Sequence, residues 1–430
     1  EEAFIKDRVG GWLNDFKLRV SYGETGSEIG INAFDYLPGY TYGGGNVNAG
    51  RSAILDGKYV IGLRPRGLPI TNLSWVTNRT QNIGFDFTVF RKLSGQFDLF
   101  ERRRTGLPAA RYDVLLPSEV GYTLPNENLN SDATRGVDGL VTWQDQVGTV
   151  QYSIGVNATL ARLRSLSTYR PRFGNSYDEY RNSIEDRWTG VNNQGLPTGV
   201  NWGYQVIGQF QSQEEIDNYT INVDGQGNRT LLPGDLKYKD VNGDGIINDL
   251  DVTPIGYAEG AQPYFNYGIN GSVSWKGITL TLDMVGAGMQ TYFRDWELKY
   301  PFQNNGNLLR SVAEDHWHRV DPYDPNSQWV AGTYPALRKD LNSHVNYRRS
   351  DFWVTNVHYL RLKNLEVAYS FPRTLIERVG ISGLRVFANG TNLFSFDNVK
   401  GFEIDPEISS SNGLVYPQQK LYTFGFNLSL

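Results

Sequence analysis

The stretch from Asp240 to Asp251 carries the clearest chemical signal in the chain. It reads DVNGDGIINDLD and places oxygen-bearing side chains at loop positions 1, 3, 5, 9 and 12, with a glycine at position 6. Calcium binds about six to eight oxygens, and this spacing lets one tightly turned loop supply most of them. The predicted calcium ligands are Asp240, Asn242, Asp244, the backbone carbonyl of Ile246, Asn248 and Asp251. The alternative is a surface turn rich in Asn, Gly and Asp that binds no metal.

Composition limits what can surround this loop. The chain has 430 residues, a formal net charge of −5 and no cysteines. Disulfides and thiolate chemistry are therefore excluded, and nucleic acid is not an expected partner. The sequence contains no run of about eighteen apolar residues, which a membrane-spanning helix would require. The strands of a transmembrane barrel remain possible, because only alternate residues of each strand face lipid.

Period-two alternation of apolar and polar residues dominates the chain and predicts strands. Clear examples lie at 150–161, 266–275, 278–284 and 422–430. Short connections are predicted near 91–95, 145–148, 276–277 and 372–382. Long connections are predicted near 26–72, 105–133, 165–262, 293–352 and 392–418. Strict alternation of short and long connections is typical of an antiparallel outer-membrane barrel, with short turns in the periplasm and long loops outside.

The same alternation predicts the orientation of the chain. It gives about ten spanning strands, provided that residues 203–210 belong to one long extracellular excursion over 165–262. The C-terminus then lies in the periplasm, and the calcium-type loop lies outside the cell. Because an open sheet edge is not tolerated in lipid, we expect these strands to complete a barrel with strands that precede residue 1.

Several segments together resemble a known family. In chain order they are DFKLRVSYGETG (15–26), QNIGFDF (81–87), GQFQSQEEI (208–216), PGDLKYKDVNGDG (233–245), YLRLKNLEVAY (359–369), LRVFANGTNL (384–393) and YTFGFNL (422–428). The chain resembles the C-terminal half of a SusC-like (RagA-type) TonB-dependent outer-membrane transporter. The resemblance covers essentially all of residues 1–430.

This resemblance implies an all-β fold, an antiparallel transmembrane β-barrel of roughly 22 strands with long extracellular loops. It also implies an N-terminal plug and a segment that contacts the TonB complex, both expected outside this chain. A SusD-like surface lipoprotein is expected to close over the external face, and outer-membrane lipid to surround the wall. Such pairs import oligosaccharides, or peptides in some members, and they are not enzymes. The chain departs from the usual pattern at Leu430, where barrel ends commonly carry an aromatic residue.

Aromatic residues in the predicted external loops are candidates for stacking on sugar rings. The predicted substrate contacts are Trp188, Trp202 and Trp317, with packing inside the loops as the alternative. Trp275, Trp353 and Tyr422 are predicted to lie in the aromatic belts at the membrane interfaces.

Two hypotheses from other functional classes are alternatives to the transporter. Paired carboxylates could flank a glycosidic bond in a hydrolase, although 46 acidic residues make such pairs unspecific. A secreted calcium-dependent adhesion module would also account for the calcium-type loop. His316 and His318 have the spacing of some zinc ligands, but zinc catalysis needs a third ligand and an open position.

Overall fold

The structure is a computed structural model that describes residues 11–31, 36–42, 52–65, 68–69, 73–110, 117, 124–167, 169, 200–257, 263–338, 344–407 and 412–429. These residues form twenty strands: β1 (Leu13–Ser27), β2 (Tyr40–Tyr42), β3 (Ser52–Leu55), β4 (Lys58–Ile61), β5 (Leu63–Pro65), β6 (Val76–Val89), β7 (Leu93–Ala110), β8 (Asn126–Val147), β9 (Val150–Ser167), β10 (Asn201–Gly203), β11 (Val206–Gln209), β12 (Leu236–Tyr238), β13 (Thr253–Gly256), β14 (Phe265–Trp275), β15 (Ile278–Phe293), β16 (His318–Arg319), β17 (Trp329–Val330), β18 (Val354–Ser370), β19 (Gly383–Asp397) and β20 (Leu421–Ser429).

Helices are short and lie in the connections. Within the described ranges, the α-helices are α1 (Gln213–Asp217), α2 (Arg310–Glu314) and α3 (Arg373–Ile376). Single 3₁₀ turns cover Asp249–Asp251, Trp296–Leu298, Gln303–Asn305, Val345–Tyr347, Glu377–Val379 and Lys400–Phe402. In the part of the chain that the structure describes, no helix is long and apolar enough to cross a membrane.

Ten long strands form one sheet in the order β1-β6-β7-β8-β9-β14-β15-β18-β19-β20. Every neighbouring pair is antiparallel. The predicted fold class is therefore confirmed. The connections also alternate as predicted, since the short ones cover 90–92, 148–149, 276–277 and 371–382. The long ones all lie at the opposite end of the strands, which we call the long-loop end. They cover 28–75, 111–125, 168–264, 294–353 and 398–420.

The two faces of this sheet differ in chemistry, as strand alternation requires. On β1, Phe16, Leu18 and Val20 are exposed on one face. Arg19 lies on the other face and bonds to Asp98 at 2.7 Å and Asp86 at 2.9 Å. A transmembrane barrel turns its apolar face outward and its polar face toward the lumen. We therefore call these the outer face and the lumenal face.

At the long-loop end, the connections fold into a structure with its own core, which we call the loop body (described residues 200–257 and 294–353). One hydrophobic cluster joins Phe210, Leu236 and Tyr238 to Val345. A second contains Phe293, Val312, Tyr334, Tyr347 and Trp353. Residues 203–210 belong here, because β11 pairs with β12 and not with the large sheet.

Trp353 corrects one prediction. It is 2% exposed, donates its indole N–H to the Asn346 carbonyl at 2.7 Å and stacks on Tyr347. It is thus a core residue of the loop body and not part of an interfacial aromatic belt. Its position directly before β18 made the two roles indistinguishable in the sequence.

Candidate functional site

The calcium-type loop is a tight turn held by its own side chains. The Asp240 carboxylate accepts the N–H groups of Gly243 at 2.7 Å and Gly245 at 2.8 Å. Both glycines have positive φ, 76° and 80°, a region that residues with a Cβ avoid. Gly245 therefore takes the sharp turn expected at position 6 of the loop.

Asp251 closes the loop. Its two carboxylate oxygens accept the N–H groups of Val241 at 2.8 Å and Asn248 at 2.9 Å, so the last residue ties the first half of the loop to the second. Asp251 is 0% exposed. Burial raises the pKa of its carboxyl above the ordinary value, with a smaller contribution from the nearby Asp240 carboxylate.

The middle of the loop is anchored to the loop body. Asn222 donates its N–H to the Gly245 carbonyl at 2.8 Å and accepts the N–H of Ile247 at 3.0 Å. Asp244 accepts the Ile246 N–H at 2.8 Å, and Asn248 accepts the Leu250 N–H at 2.8 Å. Asn242 accepts the Asp244 N–H at 3.1 Å, so the oxygens of every predicted side-chain ligand are held in defined positions.

The donor set fits calcium in its chemistry. A carboxylate or amide oxygen that accepts one N–H keeps a further lone pair for a cation. A buried carboxylate such as Asp251 also gains from a neighbouring positive charge. Among the described residues, no group of three or more His, Cys, Asp or Glu side chains could hold a metal ion. Calcium here would therefore depend on Asn242, Asn248 and the Ile246 carbonyl as well as on the carboxylates.

A buried polar network around Asp235 joins the two long connections of the loop body. Asp235 is 0% exposed and pairs with Arg338. Its carboxylate also accepts the Asn346 side-chain N–H at 2.7 Å and the Leu232 backbone N–H at 2.8 Å. Asn346 in turn accepts the Leu236 N–H at 2.9 Å. One carboxylate thus fixes segments that lie more than a hundred residues apart in the chain.

Arg338 is the cation that balances Asp235. His344 lies farther away, with 3.8 Å between its Nε2 and the carboxylate. Burial lowers the pKa of the His344 imidazole, and the Arg338 charge lowers it further. Both effects favour the neutral imidazole. The pattern Pro233-Gly234-Asp235 precedes the calcium-type loop by a few residues, but nothing in its spacing reveals Arg338 or Asn346 as partners.

The three tryptophans predicted to contact substrate have different surroundings. Trp317 is 4% exposed, packs on Gly234 and donates its indole N–H to Gln209 at 3.2 Å. This burial favours loop packing over sugar stacking. Trp202 is half-buried on β10, where it pairs with Pro254. Trp188 lies outside the described residues.

The histidine pair has no metal-site geometry in the described residues. His316 directs its Nδ1 toward the Val312 carbonyl at 3.0 Å, and His318 directs its Nδ1 toward the His316 carbonyl at 2.9 Å. Both rings thus hold the backbone of the loop. These contacts favour packing within the loop over a zinc site.

The chain is similar in sequence to known receptors along its whole length. It is 24% identical over 451 residues to TonB-dependent receptor P26 of Formosa agariphila, which covers 100% of this chain and 41% of the relative. It is 23% identical over 445 residues to TonB-dependent receptor SusC of Bacteroides thetaiotaomicron, covering 100% of this chain and 38% of the relative. The chain therefore spans well under half the length of these curated relatives. No protein-family model matches the sequence.

Solved structures show the same fold. The RagAB peptide transporter aligns with a TM-score of 0.67 and 20% identity, over 98% of this chain and 42% of that one. The RagAB peptide importer in its open-open state aligns with a TM-score of 0.65 and 20% identity, over 97% of this chain and 40% of that one. The relatives are receptors and transporters, in agreement with the prediction that the chain is not an enzyme. The chain is therefore similar along its whole length to SusC-like TonB-dependent receptors, and its ten-stranded antiparallel sheet has the fold of part of their β-barrel.

Proposed function

We propose that this chain forms the wall and the external loop body of an outer-membrane nutrient importer. In this proposal the long-loop end faces the cell exterior, and the short turns and the C-terminus face the periplasm. The supporting observation is that every long connection leaves the sheet at one end, where two of them build a common core. Outer-membrane barrels place their long loops outside.

The loop body would bind a SusD-like surface lipoprotein that closes over the importer. Several large apolar side chains are exposed in the described external connections, namely Trp296, Phe302, Val320, Tyr323, Leu414 and Tyr416. Exposed aromatic residues of this kind are enriched in protein–protein interfaces. The relative SusC and the RagAB complexes support such a partner. Energy from the TonB complex would enter through parts of the receptor outside this chain.

The proposed cargo is an oligosaccharide, and the RagAB neighbours make a peptide the second candidate. The test uses the full-length receptor expressed with a SusD-like lipoprotein from the same genome. We expect the purified pair to bind oligosaccharides in calorimetry, and cells that lack the receptor to lose growth on the same sugars. Binding of peptides alone would replace the cargo and keep the importer. Binding of neither class, with unchanged growth, would contradict the proposal.

We infer that the Asp240–Asp251 loop binds calcium as a structural brace of the loop body. At a free calcium concentration about a hundred times the Kd, binding would stabilise the loop by about 2.7 kcal/mol. Chelation should therefore speed hydrogen exchange of the Val241 and Asn248 amides, both bound to Asp251, by up to about a hundred-fold. Lipoprotein binding should weaken in parallel.

The large sheet provides the internal control, because its amides should exchange at the same rate with and without chelator. Magnesium added back in place of calcium should restore little protection, since it requires a smaller octahedral cage. Unchanged exchange over residues 235–255 after chelation would rule out the calcium brace.

A further inference from the structure

Two rows of charged residues cross the outer face of the sheet, just beyond its apolar band. Strand register places five residues side by side in the first row, Tyr22, Gln81, Glu101, Arg135 and Arg162. The second row, one step nearer the long-loop end, contains Glu24, Arg79, Arg103, Ala133 and Arg164. The row next to the first one on the short-turn side is entirely apolar. It contains Val20, Ile83, Leu99, Val137 and Leu160.

These two rows, which we call the arginine band, have an excess of positive charge. Arg79 pairs with Glu24 at 3.0 Å, and Arg135 pairs with Glu101. Arg103, Arg162 and Arg164 have no carboxylate partner among the residues that the structure describes. Arg162 instead lies over the Tyr264 ring, 5.2 Å from its centroid. The band therefore offers several guanidinium donors to an anion approaching from outside the barrel.

A shallow cavity on the same face connects the arginine band to the apolar surface. Its volume is about 490 Å³. Glu101 and Arg135 line it at the charged side, and Val20, Ile83 and Leu99 line it at the apolar side. A ligand that fills this cavity would thus present an acidic headgroup to the band and a hydrocarbon chain to the sheet.

The height of the arginine band corresponds to one membrane interface. Trp12 and Phe90 lie at the short-turn end with their ring centroids 6.4 Å apart, as in an aromatic girdle. Ten residues separate Trp12 from Tyr22. At about 3.4 Å per residue and a tilt of about 40°, this spans roughly 26 Å, close to the thickness of the apolar band of an outer-membrane barrel. The arginine band therefore lies at the headgroup level of the opposite leaflet.

We propose that the arginine band binds a phosphorylated, acylated glycolipid of the outer leaflet. Guanidinium groups bind phosphate through paired charge-assisted hydrogen bonds, and the cavity below accepts an acyl chain. This proposal rests on the proposed orientation, in which the long-loop end faces outward. A protein partner fits this surface less well, because its lower half is continuous with the lipid-facing wall. Free phosphate would leave the apolar half of the cavity unfilled.

The test compares two variants that remove charge from opposite faces of the sheet. Arg103→Gln combined with Arg164→Gln removes from the arginine band two guanidiniums that have no carboxylate partner in the described part of the chain. Arg102→Gln is the matched control, because Arg102 is also exposed on β7 but lies on the lumenal face. Full-length receptor is reconstituted in phosphatidylcholine nanodiscs that contain lipid A, and lipid A retention is measured by native mass spectrometry.

We expect the double variant to bind lipid A roughly 30-fold more weakly than the parent. Each basic side chain near an anionic headgroup strengthens binding about five-fold, and the variant lacks two of them. Arg102→Gln should bind as the parent does. Dephosphorylated lipid A should bind the parent weakly, with an affinity like that of intact lipid A for the double variant. Inorganic phosphate should not compete with lipid A for the parent. Equal retention in all three proteins, or an equal loss in Arg102→Gln, would overturn the proposal.

Failure of this proposal is distinguishable from failure of the importer. Lipid A retention is measured without lipoprotein or cargo, and the double variant should still bind both. Heat-modifiable migration confirms that each variant keeps a folded barrel. Loss of lipoprotein binding in the double variant with unchanged lipid A retention would assign the arginine band to a protein partner and contradict the lipid site.

Discussion

Replacing Asp235 with alanine is expected to destabilise the loop body by about 3–5 kcal/mol, the usual effect of removing one partner from a buried ion pair. The substitution would leave the largely buried Arg338 guanidinium without its carboxylate, and the Asn346 side chain and Leu232 N–H without an acceptor. Hydrogen exchange at the Leu236 amide, which bonds to Asn346, should accelerate between roughly a hundred-fold and several thousand-fold.

Asp217→Ala is the matched control for this substitution. Asp217 ends α1 on the surface of the same loop body, where its carboxylate accepts only an exposed bond from Gln213 among the described contacts. Its loss should change stability by less than about 0.5 kcal/mol. The amides of the ten-stranded sheet should exchange at the parent rate in both variants. Unchanged protection of Leu236 in Asp235→Ala would show that the network does not hold the loop body together.

Asp235→Ala also separates the contribution of the Asp235 network to the loop body from that of the calcium-type loop. Asp235 and the calcium-type loop lie on either side of β12, so each restrains a different end of that strand. If both are needed for lipoprotein binding, Asp235→Ala should weaken binding even when calcium is saturating. Chelation should then weaken the parent but have a smaller effect on the variant, whose loop body is already open.

The sheet could be predicted from the sequence because its signals are local. Alternating residues such as Val150 to Ala161 define a strand within one segment, and Lys276-Gly277 defines the turn between two others. The strand ends were less predictable. β7 continues to Ala110, well past its apolar stretch. In this part of the strand, which includes the arginine band, both faces are largely polar, so backbone pairing with β8 continues where the apolar–polar alternation has ended.

The loop body could not be predicted because its contacts are long-range. The Tyr238 hydroxyl donates to the Val345 carbonyl at 2.6 Å, a bond between residues 107 positions apart. Trp353 and Trp317 are ordinary aromatic residues in the sequence and become core residues only when distant segments cover them. The calcium-type loop is the opposite case, since the bonds that its Asp240 and Asp251 carboxylates accept run between residues no more than ten positions apart. Its turn was therefore evident from spacing alone.

In the proposed function, the long connections form an external loop body on an outer-membrane barrel. Single-cysteine labelling tests this claim most directly, because the chain contains no cysteines. Tyr323→Cys places a thiol at a residue that is 94% exposed in the 294–353 connection, and Val147→Cys places one beside the short turn between β8 and β9. Intact cells are treated with a large maleimide that does not cross the outer membrane.

We predict that the Tyr323→Cys thiol is labelled in intact cells, whereas the Val147→Cys thiol is labelled only after the outer membrane is permeabilised. Both proteins should show heat-modifiable migration, which confirms that a folded barrel is being labelled. Labelling of Val147→Cys in intact cells, with protection of Tyr323→Cys, would show that the long loops face the periplasm and rule out the external loop body.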